Sequence, residues 1–160
     1  MSIRRMAFLA FITVIVSLGI PEVRSATGIQ WQRTFGGTDG DSAAALCLTS
    51  DGGYLVGGYS YSSVSGSKTA QGFGLGDFWV TRLDASGAAL WDKSFGGANF
   101  EGITAIAATA DGGFILGGCS YSDASGNKTA ANFGSGDFWV VKLDSSGNKQ
   151  WDAYWYPSRN

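Results

Sequence analysis

The chain contains no histidine. That excludes Ser-His-Asp and Cys-His nucleophiles, histidine-ligated zinc and imidazole proton shuttles. There are two cysteines, Cys47 and Cys119, and they do not form a Cys-x-x-Cys pair. They fall at unmatched positions of the repeat described below, opposite Ala107 and Tyr59. Cys47 reads as a small core residue and Cys119 as a strand end; a disulfide between them is the other reading for an exported chain. Proline is nearly missing, with Pro21 and Pro157 both close to the ends. Charged residues make up 15% of the chain and leave a net charge of -2. The lysines and arginines are scattered, so no basic stripe exists and a nucleic-acid partner is excluded. Beyond residue 20 no apolar run is long enough for a membrane-spanning helix, and no helical apolar period of useful length appears.

What is present begins with a leader pattern. Arg4 and Arg5 precede an uncharged apolar stretch from Met6 to Ile20, Pro21 breaks it, and Val23-Arg24-Ser25 offers a cleavage site. This predicts a signal peptide over 1–25, a secreted or extracytoplasmic mature chain in the periplasm or at the cell surface, and no membrane span after its removal. Cleavage removes three arginines and one glutamate, which takes the net charge from -2 to -4.

Residues 26–160 are dominated by an internal repeat. Trp31, Trp91 and Trp151 recur at an interval of 60 residues. The same offset aligns Phe35-Gly36-Gly37 with Phe95-Gly96-Gly97 and Asp51-Gly52-Gly53 with Asp111-Gly112-Gly113. It also aligns Lys68-Thr69-Ala70 with Lys128-Thr129-Ala130, and Asp77-Phe78-Trp79-Val80 with Asp137-Phe138-Trp139-Val140. A fixed period of this length indicates an array, solenoid or propeller. Each period reads as four strands, near 43–49, 54–61, 78–84 and 89–95 in the first. Asp-Gly-Gly and Asp-x-Ser-Gly turns close its two hairpins. The expected fold is therefore all-β, with two tandem four-stranded antiparallel propeller-type blades over 41–96 and 101–155. A β-solenoid is the alternative, which the hairpin turns disfavour. The segment 29–35 reads as an orphan fourth strand.

The pattern Trp-x-x-x-Phe-Gly-Gly, Asp-Gly-Gly-aromatic, Asp-Phe-Trp-Val-x-x-Leu-Asp-x-x-Gly resembles the β-propeller repeats of bacterial secreted and surface proteins. Asp84-Ala85-Ser86-Gly87-Ala88-Ala89-Leu90-Trp91 is also similar to the tryptophan-docking motif of quinoprotein-type propellers, Asp-x-x-Thr-Gly-x-x-x-Trp. Its turn is one residue shorter and lacks the threonine. The resemblance runs from Ile29 to Trp155 and implies a partial propeller.

Strand 78–84 carries apolar residues on both faces, as expected of a sheet packed on both sides. Trp31, Trp79, Trp91, Trp139 and Trp151 are thus the expected structural anchors between blades. The carboxylates Asp41, Glu101, Asp77 and Asp137 recur once per blade. Such repetition points to turn N–H acceptance, with calcium binding as the alternative. No catalytic, cofactor or metal residue is identified, and the expected role is non-catalytic. The long loops 62–76 and 122–136 hold the candidate binding residues Lys68, Thr69, Asn127, Lys128 and Thr129. Their composition suits a glycan or protein partner and equally a solvated loop. The functional expectation is a binding or structural interaction module; the alternative is a piece of a secreted propeller enzyme, quinoprotein-like or hydrolase-associated. Two blades leave an apolar face open at each end. The remaining blades of a longer propeller, or a homo-oligomer, are the expected covers.

Overall fold

A computed structural model describes residues 28–154. The expected signal segment 1–25 and residue 155, the end of the second repeat, lie outside the described residues. The elements are β1 (Asp41–Leu48), β2 (Tyr54–Ser60), β3 (Asp77–Leu83), β4 (Ala89–Phe95), β5 (Glu101–Ala108), β6 (Phe114–Ser120), β7 (Asp137–Leu143) and β8 (Lys149–Tyr154). They form two antiparallel four-stranded sheets, β1-β2-β3-β4 and β5-β6-β7-β8. Among the described residues no helix is long and apolar enough to cross a membrane.

Turn chemistry sets the hairpins. At the first turn of each repeat a threonine carbonyl accepts from the turn glycine, Gly52 N–H to Thr49 O and Gly112 N–H to Thr109 O. Asp84 Oδ1 accepts from the Ser86 and Ala88 amides at 2.8 and 2.9 Å, and Asp144 repeats this with Ser146 and Asn148. Gly87 and Gly147 both turn the chain at φ 79°. A side chain there would be strained.

The sheets pack face to face through Leu55, Phe78 and Val80 of the first and Ile103, Phe114, Leu116, Trp139, Val141 and Leu143 of the second. Strand alternation puts Phe78 and Val80 toward the second sheet and Trp79, Thr81 and Leu83 on the opposite face. A register shift between Ile103 and Ala105 breaks the alternation in β5. Both Ile103 and Ile106 then reach the core, although they are an odd number of residues apart. Burying a residue the size of Trp139 removes about 150–250 Å² from water, at most roughly 4–6 kcal/mol.

One feature differs from the sequence expectation. Residues 29–35 form no strand among the described residues. The equivalent β4 and β8 owe their ladders to β3 and β7, the preceding strands of their own repeats; the segment 29–35 has no such neighbour among the described residues. Cys47 and Cys119 are both free thiols, each half-buried. Burial raises the Cys47 pKa above that of an ordinary thiol.

Candidate functional site: connector clamps and outward faces

The glycine-rich connector entering each sheet runs into the long loop between its second and third strands. In the first repeat Gly36, Thr38 and Asp39 donate their amides to the hydroxyls of Ser67, Ser65 and Ser62 at 2.9, 3.0 and 3.0 Å. In the second, Gly96 donates to Asn127 Oδ1, Ala98 to Ser125 and Asn99 to Ser122, at 2.9, 3.0 and 2.8 Å. Asn127 also donates from Nδ2 to Ser94 O. A Cβ on Gly97 would stand 2.5 Å from that of Ser122, so the clamp closes only on glycine.

The four repeated carboxylates take up loop amides. Asp41 accepts from Gly37 N–H and Glu101 from Gly97 N–H, both at 2.8 Å. Asp77 accepts from Phe73 N–H and Asp137 from Phe133 N–H, at 2.8 and 2.6 Å. The candidate loop residues are engaged in the same way. Lys68 and Lys128 are buried, and each ammonium donates to the carbonyl two residues on, at 2.5 Å. Lys128 Nζ also lies 5.8 Å from the Trp139 ring centre. Burial lowers both lysine pKa values against the pull of nearby carboxylates, chiefly Asp77 for Lys68 and Glu101 for Lys128. Thr69 donates its amide and hydroxyl to Asp92, and Thr129 donates both to Asp152. Thr69, Asn127 and Thr129 thus tie loop to strand, while the two lysines brace their own loops.

Asp92 and Asp152 are the loop-holding positions that the sequence pattern did not single out. Each also accepts from a core indole, Trp79 Nε1 at 2.9 Å and Trp139 Nε1 at 3.0 Å. Burial opposes their ionisation, but these hydrogen bonds outweigh it and hold both carboxyls below the usual carboxylate range. Lys149, 2.6 Å away, pulls Asp152 further down. The signal was available: Trp-Asp recurs at 91–92 and 151–152, while Trp31 is followed by Gln32.

One acid pair lies between the repeats. Asp77 and Glu101 are both buried. A Cβ on Gly96 would collide with both carboxylates. Glu101 is satisfied by Gly97 N–H and the Ser120 hydroxyl. Asp77 Oδ1 has no hydrogen-bond partner. Burial raises the Asp77 pKa, and the Glu101 charge adds to the shift. Among the described residues no group of three or more Cys, Asp or Glu stands close enough together to hold a metal ion.

The tryptophans mark the two faces. Trp91 leaves the first sheet and packs on the second, edge-on to Phe114 at 6.4 Å and 2.7 Å from the Cβ position of Gly147. Trp31 makes the equivalent contact with the first sheet, edge-on to Tyr54 at 5.6 Å and 2.6 Å from the Cβ position of Gly87. Trp139 is buried against Phe78 with ring centres 4.8 Å apart. Trp79 is buried as well, but lines a groove of about 360 Å³ with Trp31, Phe35, Val56 and Leu83. On the far side of the second sheet Phe138 is 71% exposed and Trp151 47% exposed.

No family model matches the chain. It is 30% identical over 138 residues to the regulatory protein FlaEY of Caulobacter vibrioides. That alignment takes in 79% of this chain and 14% of the relative, so the chain spans about one seventh of that protein's length.

Proposed function

We propose that this chain is a non-catalytic, extracytoplasmic module of two β-propeller-type blades. In this reading it is part of a larger propeller and works by binding or by structural contact, with a protein or glycan partner. The observation that carries the reading is the asymmetry of one repeated position. Phe78 is fully buried between the sheets, while its equivalent Phe138 is 71% exposed. A blade in an array buries both faces; here the second sheet presents outward the same apolar set that the first uses inward. The polar loop residues are occupied in holding the repeat together, which favours the sheet faces over the loops as the working surface. The relative is named a regulatory protein, which is compatible with action by contact.

Two measurements test this reading. Mass spectrometry of the exported full-length product should find residues 1–25 removed; an intact N-terminus at Met1 would refute export through a cleaved signal. The absorbance spectrum of the purified protein should show only aromatic and peptide bands. A stoichiometric quinone or other chromophore would replace the module reading with the propeller-enzyme one.

A further inference from the structure

We propose that the two outward faces bind each other between copies of this chain, head to tail, and that Trp31 competes with Trp151 for one seat in that contact. This rests on the module reading above and names its partner. The interface between the two sheets is the template. It is made from pairs related to the outward faces by the 60-residue offset.

Phe78 packs on Trp139 at 4.8 Å inside the chain. The same offset pairs exposed Phe138 of one copy with Trp79 in the groove of the next. Ile106 sits 3.0 Å from the Cβ position of Gly57, whereas the Cβ position of Gly117 meets nothing within 4 Å. Ile106 corresponds to Leu46, which is 61% exposed. Leu46 of one copy therefore matches the open place above Gly117 of another. Both halves of each new pair lie in this chain, and each half is exposed, faces the groove or borders open space. The fit is between unlike faces, so the association is heterologous and either closes into a ring or extends.

The third pair sets the regulation. Trp91 sits on Phe114 and the Gly147 turn, so Trp151 of one copy would sit on Tyr54 and the Gly87 turn of the next. Trp31 already occupies that seat in its own chain. Only one indole fits. The segment carrying Trp31 belongs to no strand ladder among the described residues, so it has no sheet hydrogen bonds to give up when it moves aside. Trp31 is thus an internal plug, and docking of a second copy displaces it.

The test is sedimentation velocity on the full chain across a wide concentration range, with far-UV circular dichroism as the fold control. Wild type should associate reversibly. Phe138→Glu, at an exposed position, should weaken association at least about tenfold, as a central aromatic contact does. Trp31→Ala should tighten association by about tenfold, because it removes the competing state. Phe138→Glu and Leu46→Glu proteins each keep one intact face, so an equimolar mixture should form dimers that neither forms alone. A wild-type protein that stays monomeric at all concentrations, with native circular dichroism, would overturn the proposal. So would a Trp31→Ala protein that associates no more tightly, or a mixture without complementation. These outcomes leave the module reading standing; that reading fails separately, through a bound chromophore.

Discussion

Phe78 and Phe138 hold the same place in β3 and β7, with the same neighbours in sequence, yet one is buried and the other is the most exposed aromatic among the described residues. Trp79 and Trp139 show the converse: both are buried, but only Trp139 has a phenylalanine ring against it, while Trp79 borders an open groove. Identical local chemistry therefore gives a filled interface in one place and an unfilled one in the other. A strand specifies which side chains point to each face, but not whether a second sheet stands there to cover them.

The largest expected effect comes from emptying the filled interface. Trp139→Ala should cost about 3–5 kcal/mol in urea denaturation. Trp79→Ala should cost roughly 1–2 kcal/mol less, because one side of the ring already faces open volume. Equal losses would show that the two indoles are packed alike.

Next come the loop-to-strand carboxylates. Asp92→Asn and Asp152→Asn should each cost about 1–2 kcal/mol at neutral pH, since two loop amides, a threonine hydroxyl and an indole lose a charged acceptor. Both folded pKa values are depressed. Their contribution is therefore complete above the unfolded carboxylate value of about 4 and lost as pH falls through the folded values. Stability measured from pH 6 downward, an interval chosen around that value of about 4, should converge for variant and wild type at the acid end. Asp152→Asn should be the larger of the pair, because only Asp152 also holds a lysine. A pH-independent difference would remove the electrostatic account.

The acid pair carries the opposite sign. Asp77 has a raised folded pKa, so its contribution is fully favourable below the unfolded value of about 4 and declines as pH rises through the folded one. Asp77→Asn should keep the bond to Phe73 N–H and place an amide toward Glu101. The expected gain is roughly 0.5–1 kcal/mol at pH 7 and none at pH 4. Asp137→Asn, at the equivalent position of the second repeat, should give no gain. A loss at Asp77 that persists at pH 7 would show that the charge is needed there.

The smallest effects belong to two ion pairs with exposed aspartates. Asp51 is 2.5 Å from Arg82, and Asp111 is 2.8 Å from Lys142. Hydrogen bonds from Thr49 and Arg82 push the Asp51 carboxyl down to about 2, yet both aspartates are exposed to screening water. Thermal melts of Asp51→Asn and Asp111→Asn should each lie within about 1 °C of wild type. A clear drop in either would mean that its buried cation depends on the pair.

Much of the architecture is legible in the residues themselves. The 60-residue spacing, the Asp-Gly-Gly and Asp-x-Ser-Gly turns and the paired aromatic strands are local signals, and local signals place strands and hairpins because φ, ψ and side-chain alternation act over a few residues. The amide-accepting carboxylates were readable for the same reason, since Asp41 and Gly37, or Asp77 and Phe73, are four residues apart. The tertiary structure decided what depends on neighbours far along the chain. It buried Lys68 and Lys128 and bound Thr69, Asn127 and Thr129 to the connector and the fourth strand, which lie 22 or more residues away. It brought Asp77 beside Glu101 and left 29–35 without a ladder. It also separated Phe78 from Phe138, because burial depends on what stands opposite a side chain, and among the described residues a second sheet stands opposite Phe78 and none opposite Phe138.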